Sequence, residues 1–382
     1  MIYLDAAATA KYNNIDDIII DTITLVMKNS WMNPSSLYAT NAKDKVNKCR
    51  ANVAEFINAK PDEIYYTSGG SESNSWAIQG FVNQCFSEGK KPCVITSTIE
   101  HKSIIECVNN LNYVDVEYVN VDEYGFVNLE ELRNIMLKKA LSDYKILVSI
   151  QFANNEVGTI QNIKAVSEEV HRFNGILHTD AVQAFGHISI NVEDLGIDLM
   201  SVSAHKISSV LRGIGFLYKK NCINIQPIIY GSQENGFRGG TTNTYGIMGL
   251  NKALEYCDIS QKKIDKICKK RNYFIELLEN KFDCELNGDS YYRLPNNINV
   301  TFPQNITGES LLYILDIANV KISTGSACNS KEIKPSYVLK SIGLSDEESM
   351  RTIRISLPDD ITYEEIDYTI NEIDKAIKLI EM

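Results

Sequence analysis

Asp198-Leu199-Met200-Ser201-Val202-Ser203-Ala204-His205-Lys206 is the stretch on which the reading of this chain turns. Leu199, Met200 and Val202 form a short apolar run without strict polar alternation, as in a strand covered on both faces. Ser203, His205 and Lys206 follow where the strand emerges. A lysine just past a buried strand, beside Ser and His, has two readings. It is a solvated loop residue, as most lysines are, or a desolvated amine placed to form a Schiff base with an aldehyde cofactor.

Bulk properties limit the classes of function. The chain has 382 residues, room for one large domain and a smaller one, or for two of similar size. Hydrophobic residues make up 44% and charged residues 23%, an ordinary globular balance. A net charge of -11 and a pI near 5.1 argue against a partner nucleic acid or anionic membrane. Met1-Ile2-Tyr3-Leu4-Asp5 has neither the basic nor the apolar region of a signal peptide. No apolar run reaches the ~18 residues of a membrane span. The nine cysteines are scattered and form no C-x-x-C, which disfavours a disulfide framework and a zinc site. Reduced thiols in a cytoplasm are expected, most of them as small buried apolar residues, with Cys328 set apart.

Outward from the opening stretch, short apolar runs alternate with amphipathic segments. Strands are expected at Val94–Ser97, Val114–Val119, Ile146–Ile150, Ile176–His178, Leu199–Ser203 and Gly215–Tyr218. Helices are expected at Glu72–Gln84, Leu129–Ala140 and Lys164–Asn174. That alternation implies an α/β fold with a mostly parallel sheet wrapped by helices. Beyond Thr244 the pattern changes. Gly249–Phe282 reads as one long or kinked helix. Strands at Ile298–Phe302, Val320–Ser323 and Ile353–Leu357 follow, with helices at Ser310–Ile317 and Tyr363–Leu379. The expected division is a large domain over 1–250 and a small α+β domain over 251–382, with the stretch 1–31 packing on either.

Four constellations carry chemistry. Tyr65-Tyr66-Thr67-Ser68-Gly69-Gly70-Ser71-Glu72 runs from a strand through a glycine pair into a helix start, where free N–H groups and the helix dipole favour a phosphate. The plainer reading is a helix capped by Ser71. His178-Thr179-Asp180-Ala181-Val182-Gln183 places a carboxylate at a strand end, able to keep a pyridinium protonated or simply to cap a helix. Glu100-His101-Lys102 offers an imidazole that could stack on a flat cofactor or shuttle protons. In Ser323-Thr324-Gly325-Ser326-Ala327-Cys328, small residues surround one cysteine in an expected loop, as an accessible thiol requires. Arg354, between two isoleucines, needs an anionic partner, either a substrate carboxylate or a structural acid. A strand-end lysine, a phosphate cradle, a ring-nitrogen carboxylate and a stacking histidine are together the needs of pyridoxal phosphate.

These motifs are similar to those of the cysteine desulfurases of the bacterial iron–sulfur and nitrogen-fixation type, in the class V aminotransferase-like branch of fold-type I pyridoxal-phosphate enzymes. The resemblance runs almost end to end. It rests on Asn33-Pro34-Ser35-Ser36, Thr67 to Ser73, Glu100-His101-Lys102, Asn154-Asn155-Glu156-Val157-Gly158, Asp180 to Gln183, Ser203 to Lys206, Arg238-Gly239-Gly240-Thr241 and Gly325-Ser326-Ala327-Cys328. It implies that Lys206 holds the cofactor pyridoxal 5'-phosphate, that His101 stacks on its ring, and that Asp180 and Gln183 meet the ring nitrogen and hydroxyl. Gly70, Ser71, Ser203 and His205 would bind the phosphate, and Thr241 the phosphate of a second subunit in a homodimer. Asn155 would serve cofactor and substrate, and Asn33 and Arg354 the substrate L-cysteine. Cys328, on a long mobile loop, would accept sulfur and pass it to an acceptor protein, an iron–sulfur scaffold or a tRNA-thiolation enzyme.

The chain departs from the family pattern in places. Ala6 stands where Asn is usual, Ile207 to Gly213 replaces a Gly-Pro loop, and Asn235 stands where Arg is common. Two other readings remain open at the level of sequence. One is selenocysteine lyase or another class V activity. The other is a cofactor-free paralogue acting as a binding partner in sulfur relay.

Overall fold

The computed structural model describes residues 1–11, 20–22, 24, 26, 28, 32–207, 212–303, 306–324 and 334–381. In chain order its strands are β1 (Ile2–Tyr3), β2 (Ile64–Thr67), β3 (Lys91–Ser97), β4 (Asp115–Val119), β5 (Tyr144–Ser149), β6 (Ile176–Asp180), β7 (Leu199–Ser203), β8 (Gly215–Lys219), β9 (Glu285–Leu286), β10 (Asn297–Thr301), β11 (Val320–Lys321), β12 (Ser323–Thr324) and β13 (Thr352–Ser356).

Seven strands form one sheet in the order β2-β8-β7-β6-β5-β3-β4. From β4 to β7 every pairing is parallel; β8 alone runs against both of its neighbours. Both faces are covered, which is why the strands lack polar alternation. Val94, Leu147, Leu199 and Leu217 enter one apolar layer with Trp76 and Phe81. Their neighbours Ile95, Val148, Met200 and Phe216 enter the opposite layer with Met136, Val166 and Phe185. The opening stretch is therefore a central strand, with Leu199, Met200 and Val202 fully buried. The expected helices are present as Gly70–Ser87, Leu129–Leu141 and Ile163–Arg172, joined by Lys102–Asn109 and by Thr40–Phe56, which the sequence reading did not include.

The second sheet is antiparallel, β12-β13-β10-β9, and a separate parallel pair joins β1 to β11. Its core gathers Phe274, Ile298, Val300, Leu315, Ile353, Ile355 and Ile370 from the sheet and the helices Gln261–Phe282, Gly308–Ile317 and Tyr363–Ile380. Leu4 belongs to this core, so the first residues of the chain pack among its last.

Two elements differ from expectation. The single helix over Gly249–Phe282 is two, Thr244–Tyr256 and Gln261–Phe282. Cys257 turns extended (ψ 97°), and the Asp258 carboxylate accepts the Ser260 N–H at 2.9 Å. An Asp bonding its own backbone offers the chain an alternative to the helix ladder. The two halves serve different cores: Ile247 and Leu250 the first, Phe274 and Leu278 the second. The run Val320–Ser323 likewise splits, β11 pairing with β1 and β12 with β13. Of the eight cysteines described, all are free; five are buried, Cys257 and Cys268 are intermediate, and Cys222 is exposed, against the expectation for it.

If the N-terminal segment is part of the second core, Leu4→Ala costs about 2–5 kcal/mol of stability in urea denaturation, as for other buried leucines. A loss well under 1 kcal/mol would show that the segment packs loosely.

Candidate active site

In the larger sheet, β2, β3, β5, β6 and β7 end at one edge, the usual place for a ligand in an open α/β sheet. A cavity of about 270 Å³ lies there. Gly70, Ser71, His101, Asn155, Asp180, Gln183, Ser203, His205, Lys206 and Arg354, ten of the residues singled out in the sequence, all line it.

Lys206 closes the single helical turn Ala204–Lys206 that follows β7. Its Nζ donates to the carbonyls of Ala7 at 2.7 Å and Ala8 at 2.9 Å, so it is not a freely solvated loop lysine. Burial pushes its pKa down to about 8; the Arg354 cation adds to this, while Asp5 and Asp180 oppose it. Desolvation outweighs two nearby carboxylates.

Asp180 is the last residue of β6, buried, with Oδ1 accepting the Val182 N–H at 2.9 Å and Oδ2 accepting Asn74 Nδ2 at 2.7 Å. Gln183 Nε2 donates to the Ala7 carbonyl at 3.0 Å, the same oxygen that receives Lys206.

The glycine turn leads into the helix Gly70–Ser87. Its cap is Gly69, with φ 152°, and no side chain caps it; Ser71 sits inside the helix, so the capped-start reading does not hold. A Cβ at Gly70 would come within 2.7 Å of Val182 Cγ2, and one at Gly215 within 2.8 Å of Gly69 Cα. Glycine at these positions lets the helix start approach β7 and the cavity. Ser203 Oγ lies 2.8 Å from His205 Nδ1 beside this turn. Burial, helped by the Lys206 and Arg212 cations, lowers the His205 pKa to about 4, so its ring is neutral. The set offers hydroxyls, a neutral imidazole and an uncapped helix N-terminus, donors suited to a phosphate.

His101 caps the helix Lys102–Asn109, its Nδ1 accepting the Ser103 N–H at 3.1 Å. Arg354, on β13, has its acid partner in the chain itself. Nη2 bonds Asp5 Oδ1 at 2.7 Å and Nη1 the Asn155 carbonyl at 3.1 Å, while the buried Nε has no partner among the described residues. The structural ion pair therefore exists, and the same side chain lines the cavity.

Two singled-out residues among those described, Asn33 and Thr241, do not line the cavity. Asn33 is exposed, its Oδ1 accepting the Ser35 N–H at 3.0 Å. Thr241 is also exposed, just after Arg238, which pairs with Glu72 at 2.8 Å. Cys328 lies outside the described residues, as do Gly325, Ser326, Ala327 and Ser208 to Leu211. The chain on either side of 325–333 is anchored: Thr324 pairs with Ile353, Ser336 Oγ donates to Glu156 Oε2 at 2.6 Å, and Tyr337 OH donates to the Glu100 carbonyl at 2.5 Å.

Sequence reading missed Asp5, Asn74, Ser103 and the Ala7 and Ala8 carbonyls. Asn74 could have been found, four residues after Gly70 on the same helix face. The carbonyls could not, because a backbone acceptor leaves no mark on sequence. Glu100 is fully buried, with Oε1 accepting from Ser97 Oγ at 2.5 Å and Gln151 N at 3.0 Å; burial raises its pKa to about 8. Among the described residues no cluster of three or more His, Cys, Asp or Glu side chains could hold a metal ion. No helix described is long and apolar enough to cross a membrane.

A cavity of this make-up at the carboxyl edge of such a sheet belongs to a known class. The model of the class V aminotransferases matches residues 2–369, and the chain belongs to that family. Curated relatives within it are named cysteine desulfurase IscS: one from Clostridium botulinum (strain Hall) is 42% identical over 386 residues, covering 99% of this chain and 94% of the relative. Another, from Dictyoglomus turgidum, is 39% identical over 384 residues with the same coverage. A solved structure described as a NifS-like protein superposes with a TM-score of 0.89 at 32% identity, over 99% of both chains. A NifS-like protein from Rickettsia africae gives 0.86 at 29%, again over 99% of both chains.

The Lys206 shift has a definite sign in stability. Between about 8 and 10.5 the folded chain has released this proton while the unfolded chain keeps it, so the contribution of Lys206 to stability rises with pH across that window. Below pH 8 both states hold the proton and its penalty is constant. Lys206→Met removes the term, so the stability advantage of the variant in urea denaturation is expected to shrink as pH rises from about 8 to about 10. A constant difference would contradict the lowered pKa.

Proposed function

We propose that this chain is a cysteine desulfurase that holds pyridoxal 5'-phosphate in the cavity, converts L-cysteine to L-alanine, and retains the sulfur as a persulfide on Cys328. The observation that carries the reading is Lys206: an amine of lowered pKa sharing one cavity with a buried carboxylate and an uncapped helix N-terminus.

The residues present fit the cofactor. Gly70, Ser71, Ser203 and His205 would hold its phosphate, beside a turn where a Cβ at Gly70 would collide with Val182. Asp180 would meet the ring nitrogen, Gln183 the ring hydroxyl and His101 the ring face, with Asn155 close by and Lys206 at the aldehyde. When bound, pyridoxal phosphate supplies an electron sink that acidifies the substrate α-hydrogen and loosens the Cβ–S bond.

The chain's own groups do the rest. Lys206, with a pKa of about 8, is partly neutral at physiological pH and can take the α-proton as a base. Arg354, oriented by Asp5 and Asn155 and lining the cavity, would meet the L-cysteine carboxylate with its guanidinium. The Cys328 thiolate attacks the substrate sulfur. An S–S bond forms as the Cβ–S bond breaks, the electron pair stays with carbon, and a proton completes the methyl group of alanine. Sulfur leaves without any outside oxidant or reductant. The anchors at Thr324, Ser336 and Tyr337 bring both ends of the cysteine-bearing segment to the elements that line the cavity.

On this reading the protein works in the cytoplasm as a homodimer, in which the exposed Thr241 serves a second subunit's phosphate. Its sulfur goes to an acceptor protein for iron–sulfur cluster assembly or tRNA thiolation. The large domain spans 1–250, its first residues packing on the small one, which spans 251–382.

Cys328→Ala is expected to keep the visible absorbance of the bound cofactor but to lose alanine and sulfide formation from L-cysteine by at least about a hundredfold. Turnover near that of the parent would sink the persulfide step. Arg354→Lys replaces a forked donor by a point charge and is expected to raise KM for L-cysteine about tenfold or more while cofactor absorbance persists. An unchanged KM would remove Arg354 from substrate binding.

A further inference from the structure

Two hydrogen bonds decide which nitrogen of His101 carries its proton. The Ser103 backbone N–H lies 3.1 Å from His101 Nδ1, and a backbone N–H can only donate, so Nδ1 is bare. The Ser103 hydroxyl lies 2.8 Å from the same nitrogen. That hydroxyl accepts from Asn74 Nδ2 at 2.9 Å, which leaves its own hydrogen free for Nδ1. The other Nδ2 hydrogen of Asn74 goes to Asp180 Oδ2 at 2.7 Å. A carboxylate oxygen accepts, so the amide has only one orientation, and Asn74 itself is 1% exposed. Direction passes from Asp180 through Asn74 and Ser103 to His101, each donor fixed by the group before it.

We propose that Asn74 and Ser103 are positioning residues that lock His101 as its neutral Nε2–H tautomer, so that His101 offers the cavity a flat uncharged ring and a hydrogen-bond donor but no free lone pair. The inference rests on the reading of this cavity as the cofactor site, and assigns His101 its part there. His101 lines the cavity, and its Nε2 has no partner among the described residues. With Nδ1 engaged twice, His101 cannot serve as a base without giving up the cap of the helix Lys102–Asn109. Proton removal is left to Lys206.

The charges around His101 agree. Asp180, Lys206 and Lys102 face it; burial lowers its pKa, Asp180 opposes this, and the two lysines reinforce it. A cationic imidazole would add a positive charge beside Lys206 and Arg354. A neutral one stacks on a cationic ring without repelling it.

The test is ¹⁵N NMR of the full chain with labelled histidine rings, with and without added pyridoxal phosphate, His101 being assigned from the signal lost in His101→Gln. At neutral pH the parent is expected to show a bare Nδ1 and a protonated Nε2 at His101. Asn74→Ala is expected to shift the His101 Nδ1 signal, although Asn74 does not touch the ring, and Ser103→Ala to shift it further. An Nδ1–H tautomer or an imidazolium in the parent at neutral pH overturns the proposal, and so do His101 signals unmoved in both variants. A chain with the expected tautomer that takes up no pyridoxal phosphate counts against the proposed function and leaves this assignment standing.

Discussion

The carbonyl oxygen of Ala7 is the point on which the site depends. It accepts Lys206 Nζ at 2.7 Å and Gln183 Nε2 at 3.0 Å, joining the ends of β7 and β6 through one atom. Ala7 belongs to neither strand. Its own N–H donates to Ser356 Oγ at 2.9 Å, and the N–H of Ala6 to the Ser356 carbonyl at 3.2 Å, both on β13 of the second sheet. Tyr3 ties the segment from within, its hydroxyl reaching the carbonyls of Asp5 and Thr9. The first ten residues are thus a strap whose register is set by the small sheet and whose carbonyls hold the lysine of the large one. Parallel packing alone would bring Asp180, Ser203 and Lys206 to an edge; the strap fixes where the amine rests.

The strap also balances charge. Asp5 comes from it and pairs with Arg354 at 2.7 Å, so of the charged groups that line the cavity, the cations Lys206 and Arg354 and the carboxylate Asp180, the arginine carries its own counter-ion from outside the lining. Loss of water and the Lys206 cation lower the pKa of both His101 and His205, against Asp180 at His101, and that of His205 falls to about 4. Lys206 illustrates which effect prevails: two acids lie near it, yet loss of water and the neighbouring arginine win, and its pKa falls to about 8. A site arranged in this way can receive a phosphate and a substrate carboxylate without holding a large excess of positive charge beforehand.

What the sequence disclosed follows from what side chains encode. Both faces of the large sheet are apolar, so its strands read as continuous runs, and Leu199–Ser203 was placed to the residue. Polar groups at strand ends are rare enough to stand out, which is why Asp180, Ser203 and Lys206 could be chosen and why they meet in one cavity. The helix break at Cys257–Ser260 was hidden because the apolar spacing continues across it while the two halves turn to different cores. Arg354 was legible as a cation in need of an acid, but Asp5 lies 349 positions away and no local pattern could have joined them. Asn33 and Thr241 were chosen by motif, and a single chain leaves both at its surface. Asn74 was passed over although its spacing from Gly70 put it on the same helix face, whereas Ser103, in the first turn of another helix, carries no signal until its partners are known.

The same geometry bears on how a cysteine between Thr324 and Lys334 could serve the site. Thr324 is paired with Ile353, one residue before Arg354, so one end of that stretch begins on the strand that carries the arginine. At the other end Ser336 bonds Glu156 and Tyr337 bonds the carbonyl of Glu100, both on loops that leave the large sheet at the cavity edge. Glu156 follows Asn155, and Glu100 precedes His101. Each anchor is therefore one residue removed from a group that lines the cavity. The stretch that bears Cys328 and the groups that would hold cofactor and substrate are thus coupled through covalent neighbours on both sides, without any further contact being required.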